Sequence, residues 1–159
     1  MIDTIWRIDK RKHAATTRTG EGARLTGGRW TSPGYPAVYC AAHLSLAILE
    51  VVVHAPAARQ RSVPRVRFRI RLGRALVEDV ADHRLPSDFS PRTSDALTRA
   101  IGDDWIERAR SPALSVPSAI VPTERNYILN PGHPAFARLS WEAHEPIVLD
   151  ERLWSVGRG

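Results

Sequence analysis

The sequence is poor in the residues that staple a small chain or hold a soft metal. Cys40 is the only cysteine among 159 residues, so no internal disulfide and no thiol cluster can form. Lysine is nearly absent: of 23 basic residues 21 are Arg, and only Lys10 and Lys12 are Lys. No run approaches the roughly 18 consecutive apolar residues of a membrane helix. The stretch from Met1 to His13 lacks the apolar segment and cleavage site of a signal peptide. There is no internal repeat and no low-complexity tract, and the 12 prolines are scattered rather than gathered into a linker. The expectation is a soluble intracellular chain with no membrane contact, read as a single domain over 1–159.

What is present is a globular balance, 43% apolar and 25% charged, with a formal charge of +6. The bias towards Arg fits a GC-rich coding sequence. It also fits a planar fork used on phosphate or carboxylate. Nucleic acid, a phosphorylated small molecule and an acidic protein are the partners such a charge admits.

Periodicity predicts strands at Ile5–Ile8, Ala37–Ala41, Leu114–Val121, Asn126–Asn130 and Pro146–Leu153, and a long functional loop over Thr16–Gly34. A helix over Ala42–Ala55, ended by Pro56, is apolar on most sides and is expected to be buried. A second helix is expected over Ser94–Ala109, weakened by Gly102. From Arg65 to Leu72 the alternation is strict, with four arginines on one face and Val66, Phe68, Ile70 and Leu72 on the other. That pattern reads as the charged face of an edge strand or as a track for a phosphate backbone. The mixture lacks regular βαβ spacing, which favours an α+β fold.

Glu50 is the most informative residue. It is a carboxylate among Leu46, Ala47, Leu49, Val51 and Val53, a costly setting unless it is paired or used. His43, Ala47, Glu50 and His54 share its stripe, which either faces water or borders a pocket in which Glu50 is held by His54 at i,i+4. Gly27-Gly28-Arg29-Trp30 is the second signal. It is either a turn with a solvated Arg or a close backbone approach to a ligand with Arg29 as a phosphate clamp. It is neither a phosphate-binding Walker loop nor a dinucleotide fingerprint, because the Gly-Lys-Ser/Thr and the third Gly are missing. Ser118, within Pro117-Ser118-Ala119, is not a nucleophile elbow; its hydroxyl either bonds local backbone or, like that of a small polar group beside Asn130, orients a ligand. The six histidines have no zinc-site spacing, and no metal is expected.

Together, Trp6-Arg7-Ile8, Gly27-Gly28-Arg29-Trp30, Val38-Tyr39, Ala47-Ile48-Leu49-Glu50-Val51 with His54, Val116-Pro117-Ser118, Asn126-Tyr127 and Asn130-Pro131-x-His133-Pro134 resemble the RES-domain toxins. That family is named for an Arg, a Glu and a Ser, here Arg29, Glu50 and Ser118. The chain departs from the pattern at Thr31, where many relatives carry Asn.

The resemblance implies a single domain similar to diphtheria-toxin-like ADP-ribosyltransferases, with a split mixed β-sheet and flanking helices around an NAD cleft. It implies the toxin half of a bacterial toxin–antitoxin pair, cytoplasmic, with NAD+ consumed as substrate and no cofactor. The nicotinamide–ribose bond would be cut and ADP-ribose passed to water, phosphate or a protein. The catalytic set it implies is Glu50, Arg29, Tyr39 and Ser118, with Arg29, Tyr39, Ser118, His54 and Asn130 contacting NAD+. The implied partner is an Xre-like antitoxin, through which any DNA contact is made; a toxin homodimer is compatible with the reading. The alternative from a different class is a basic nucleic-acid-binding module without catalysis.

Overall fold

The structure is a computed structural model that describes residues 1–55, 62–80, 85, 90 and 95–154. Its strands are β1 (Ile2–Lys10), β2 (Val38–Ala41), β3 (Arg65–Gly73), β4 (Val77–Asp79), β5 (Ala113–Pro117), β6 (Arg125–Leu129), β7 (Ser140–Trp141) and β8 (Glu145–Ile147). The helices are α1 (Glu21–Thr26), α2 (Leu44–His54) and α3 (Asp95–Glu107). The strands form one mixed sheet in the order β4-β5-β6-β2-β1-β3-β7, with β8 also on β3. Among the described residues only the β4–β5 pair is parallel. The class is α+β.

Period-two patterning gives the sheet two different faces. One buries Ile5, Val38, Cys40, Val66, Phe68, Ile70, Leu72 and Leu129, against which Ala14, Phe136 and Trp141 pack. Burial pushes the Cys40 thiol up to about 12, so it serves as a small core residue. The other face carries the helices. Leu46 and Ala47 of α2 pack with Ala41, Trp6 and Ile8. Ile101 and Ile106, with buried Trp105, join α3 to Leu114, Val116 and Ile128.

The sequence expectations need five corrections. The strand expected over Leu114–Val121 ends at Pro117, so Ser118 lies in the turn that follows it. The span from Thr16 to Gly34 is not one loop, because a 3-10 run over Arg11–Thr19 and the short helix α1 occupy its first half. Arg7 winds the 3-10 run against the sheet, donating to Thr17 Oγ1 at 2.7 Å, the Tyr39 carbonyl at 2.9 Å and Asp9 Oδ2 at 2.8 Å. The expected last strand is short, and Glu151–Trp154 is a 3-10 turn instead. The Arg65–Leu72 strand is not an edge: β1 pairs along the whole of β3 on one side, and β7 and β8 pair on the other. Finally, α2 is not buried all round. Leu46 and Ala47 are its buried residues, while Leu49 is 37% and Val53 62% exposed. The expected helix stop at Pro56 and the helix start at Ser94 fall outside the described residues.

Candidate active site

Glu50 lies four residues after Leu46 and three after Ala47, so it shares the side of α2 that meets the sheet. Beneath it, Ala41 of β2 pairs with Asn126 of β6. The carboxylate reaches across that pair. Asn126 Nδ2 donates to Glu50 Oε1 at 2.7 Å, and the Ser118 hydroxyl donates to the same oxygen at 3.4 Å. Ser118 is fully buried at the turn after β5, where its Oγ accepts the Ile120 and Val121 N–H groups at 3.1 and 3.2 Å. Those two donors occupy its lone pairs and leave its proton for Glu50. The local-backbone reading of Ser118 is what the hydrogen bonds show, and the same hydroxyl also faces the Glu50 carboxylate.

The second carboxylate oxygen, Oε2, has the His54 ring nitrogen Nδ1 at 3.6 Å, beyond hydrogen-bond reach. His54 Nδ1 instead bonds the Glu50 backbone carbonyl at 2.8 Å. The His54 ring is mostly exposed and lines an open hollow of about 230 Å3 with Ile8, Lys10 and Arg65. The Glu50 carboxylate remains about a quarter exposed.

Two residues before Ala41 on the same strand face, roughly 7 Å along the strand, stands Tyr39. Its hydroxyl accepts the Trp30 N–H at 3.1 Å and bonds Thr31 Oγ1 at 2.8 Å. Thr31 is fully buried, so the residue that departs from the family pattern supplies a hydroxyl to this joint. Burial holds the Tyr39 phenol above the usual tyrosine range, opposed by the bonds from Thr31 and Trp30. Gly28 lies against the hydroxyl end of the ring: a β-carbon there would collide with the Tyr39 hydroxyl and ring carbons.

Helix α3 fastens the same loop from its other side. Arg99 Nε donates to the Gly28 carbonyl at 3.0 Å, and Thr98 Oγ1 to the Arg29 carbonyl at 2.5 Å. Asp103 accepts the Ser32 N–H at 2.8 Å and the Ser32 hydroxyl at 2.5 Å. Gly102, unfavourable by helix propensity, is explained by this contact, because a β-carbon there would run into the Trp30 carbonyl oxygen. Arg29 thus projects from a fixed backbone, with its guanidinium about a third exposed and paired to Asp95 at 3.0 Å.

Of the residues singled out in the sequence, Glu50 and Ser118 are in direct contact, His54 flanks Glu50, and Tyr39 and Arg29 form a neighbouring unit joined through Gly28 and Trp30. Asn130 stands four residues beyond Asn126, roughly 14 Å along the strand. It is buried, and its carboxamide oxygen accepts the Gly132 N–H at 3.0 Å within a turn. His43 lies outside the cluster, bonded to Glu124 at 3.1 Å. Among the described residues no group of His, Cys, Asp or Glu side chains could hold a metal ion. Sequence reasoning missed Asn126 as a site residue, although it lay in the Asn126-Tyr127 pair, and missed Thr98, Arg99 and Asp103 as the supports of Arg29.

The Arg ladder shares the helical face of the sheet but is engaged elsewhere. Arg67 pairs with Glu145, and Arg69 and Arg71 with Glu142. Arg67 and Arg69 also stack on Trp6, with centroid distances of 5.6 and 5.7 Å. Arg65 is buried and lies 5.7 Å from the Trp154 ring centroid.

An α+β sheet with a lone carboxylate under two donors and an Arg-bearing Gly-Gly loop beside it defines the class of fold and site. Residues 4–150 match the RES domain, and the chain belongs to that family. It is 37% identical over 132 residues to a protein named Toxin Res from Yersinia enterocolitica, covering 83% of this chain and 86% of that one. A Toxin Res from Photorhabdus laumondii is 39% identical over 127 residues, 80% of this chain and 81% of the other. A Sphingobium protein named Prs ADP-ribosylating toxin is 34% identical over 141 residues, 84% of this chain and 86% of the other. The fold is shared with a chain of the M. tuberculosis MbcT–MbcA toxin–antitoxin complex, with a TM-score of 0.76 at 20% identity, over 98% of this chain and 88% of that chain.

Proposed function

We propose that this RES-family chain is the toxin of a bacterial toxin–antitoxin pair and that it cleaves the nicotinamide–ribose bond of NAD+. The observation that carries the reading is Glu50, a lone carboxylate on an apolar helix with two side-chain donors gathered on one oxygen and the other oxygen left without a hydrogen bond among the described residues. NAD+ brings a leaving group that is already cationic. When the C1′–N bond breaks, its electron pair neutralises the pyridinium and nicotinamide departs with no proton supplied. The positive charge passes to the ribosyl oxocarbenium, and one fixed carboxylate is the group that stabilises it. The acceptor then adds to C1′ and releases a proton. Arg29 binds the pyrophosphate through its fork, exchanging Asp95 for phosphate. Tyr39 offers its ring to the nicotinamide or its ribose while its hydroxyl stays on the loop. NAD+ is the substrate in this reading, and no further cofactor is used.

The partner side of the proposal rests on α2. Its exposed Leu49 and Val53 stand one turn apart beside Glu50, an apolar face suited to an antitoxin that covers the carboxylate as it docks. The basic-module alternative is less well supported, because Arg67, Arg69 and Arg71 are already engaged by Glu145 and Glu142. No helix among the described residues is long and apolar enough to cross a membrane. The cytoplasmic location in this proposal follows from the NAD+ reading alone, since that is where the substrate is met.

The test is purified protein with NAD+ labelled separately in nicotinamide and adenylate. Free nicotinamide with soluble labelled ADP-ribose or its phosphate indicates a degrading enzyme. Adenylate label on a protein indicates a transferase. No nicotinamide release above background by the folded protein would end the NAD+ reading.

A further inference from the structure

Asn126 stands out because half of its amide is used and half is not. An ionised carboxylate only accepts, so the short 2.7 Å contact with Glu50 Oε1 requires the Asn126 NH2 group on that side. The assignment then turns Oδ1 away, and Oδ1 is buried with no hydrogen-bond partner among the described residues. An Asn kept for structure would have its acceptor satisfied, as Asn130 does through the Gly132 N–H. Asn126 instead gives up one good acceptor and keeps one donor, and that donor is aimed at Glu50. The second donor on the same oxygen, the Ser118 hydroxyl, is longer at 3.4 Å, against 2.7 Å for the amide. The geometry therefore places most of the restraint on the carboxylate in one amide N–H.

We infer that Asn126 is the positioning residue of the site: it pins Glu50 Oε1 so that Oε2 is turned towards the ribosyl centre. Its place is fixed by the sheet, since Asn126 pairs with Ala41 on one side and Val116 on the other. Glu50 rides on a helix with little burial, so without the amide the carboxylate would sample several rotamers. The inference rests on the NAD+-cleaving reading.

The test compares the full-length protein with Asn126→Ala and the isosteric Asn126→Asp, following nicotinamide release from NAD+. A positioning role predicts that Asn126→Ala lowers kcat about 10- to 100-fold while KM for NAD+ changes less than about 3-fold. Asn126→Asp preserves shape but sets a second carboxylate against Glu50, and two carboxylates so close hold one proton between them. At neutral pH it should be at least as impaired as Asn126→Ala. As pH falls the new carboxyl becomes protonated and can donate to Glu50 as the amide did, so kcat should recover towards the acid side, a gain absent from the Ala variant. The other titrating groups nearby are His54 on α2 and the His43–Glu124 pair at the 118–124 turn; they are common to all three proteins and cancel in the comparison. If Asn126→Ala is folded and keeps kcat within 3-fold, or if both variants change only KM, the positioning role is overturned while the NAD+ reading stands. If the wild-type protein releases no nicotinamide, both fall together.

Discussion

The loop that carries Arg29 is fastened from two sides, whereas the helix that carries Glu50 is lightly held. Tyr39 grips the Gly28–Thr31 backbone from the sheet, and Thr98, Arg99, Gly102 and Asp103 grip it from α3. By contrast, α2 buries Leu46 and Ala47 and leaves Leu49 and Val53 in solvent. The difference matches the two tasks proposed for Arg29 and Glu50. A pyrophosphate is the same in ground and transition state, so its site can be rigid and complete before the ligand arrives. On that reading the carboxylate must meet a charge that develops only as the bond breaks, and two neighbouring side chains orient it.

The largest effect should come from the lightly held side. Glu50→Gln is nearly isosteric but removes the charge that faces the developing cation. Nicotinamide release should fall by about 10²-fold or more, with thermal stability close to wild type. Turnover near wild type in the folded variant would remove Glu50 from the chemistry.

Arg29→Ala should act mainly on binding. Losing a bidentate, charge-assisted contact to phosphate costs about 1.5–3 kcal/mol, or roughly 10- to 150-fold in affinity. Arg29→Lys should recover little, since an ammonium cannot reproduce the fork. Calorimetric titration of NAD+ into proteins that also carry Glu50→Gln separates binding from turnover. Equal affinity for the Lys and Arg proteins would argue against a pyrophosphate clamp.

The clamp itself can be probed without touching Arg29. Gly102→Ala follows helix propensity but drives a methyl into the Trp30 carbonyl, so either α3 or the loop must shift. The expected cost is about 1–3 kcal/mol of stability together with weaker NAD+ binding. Gly22→Ala on α1, where nothing lies within 4 Å of the added carbon, is the matched control and should be neutral or slightly stabilising. If Gly102→Ala behaved like Gly22→Ala, the loop would be less firmly seated than its hydrogen bonds indicate.

Glu50 was legible in the sequence for a physical reason: a carboxylate inside an apolar helical repeat is out of place, whatever surrounds it. The Gly-Gly-Arg-Trp segment was legible because paired glycines mark a close backbone approach. The supports of both were not. Asn126 lies 76 positions from Glu50 and Arg99 lies 71 from Gly28, separations at which no periodicity carries information. The same limit explains the fold errors. Strict alternation gives the two faces of the Arg65–Leu72 strand but not its neighbours, so an interior strand can read as an edge. The Thr16–Gly34 span reads as loop because its residues favour turns. Its first half is wound by Arg7, a tertiary contact ten residues before Thr17.

The smallest effect belongs to the arginines that dominate the charge. Arg67 and Arg69 sit on the helical face of the sheet, the face that carries Glu50, so proximity alone would suggest a role in binding NAD+. Their partners argue otherwise. Arg67 is matched by Glu145 and Arg69 by Glu142, and both guanidinium groups stack on Trp6. Exposed ion pairs and exposed cation–π contacts are each worth about 1 kcal/mol or less. Replacing both residues with Gln should therefore lower stability by roughly 1–2 kcal/mol and leave KM for NAD+ within about 2-fold of wild type. The loss should shrink in high salt, where the wild-type pairs are already screened. A large rise in KM with stability intact would move phosphate binding from Arg29 to the ladder. The firmly seated loop would then be a support for Tyr39 rather than the anion site, and the contrast between the two sides of the site would have to be drawn again around Trp6.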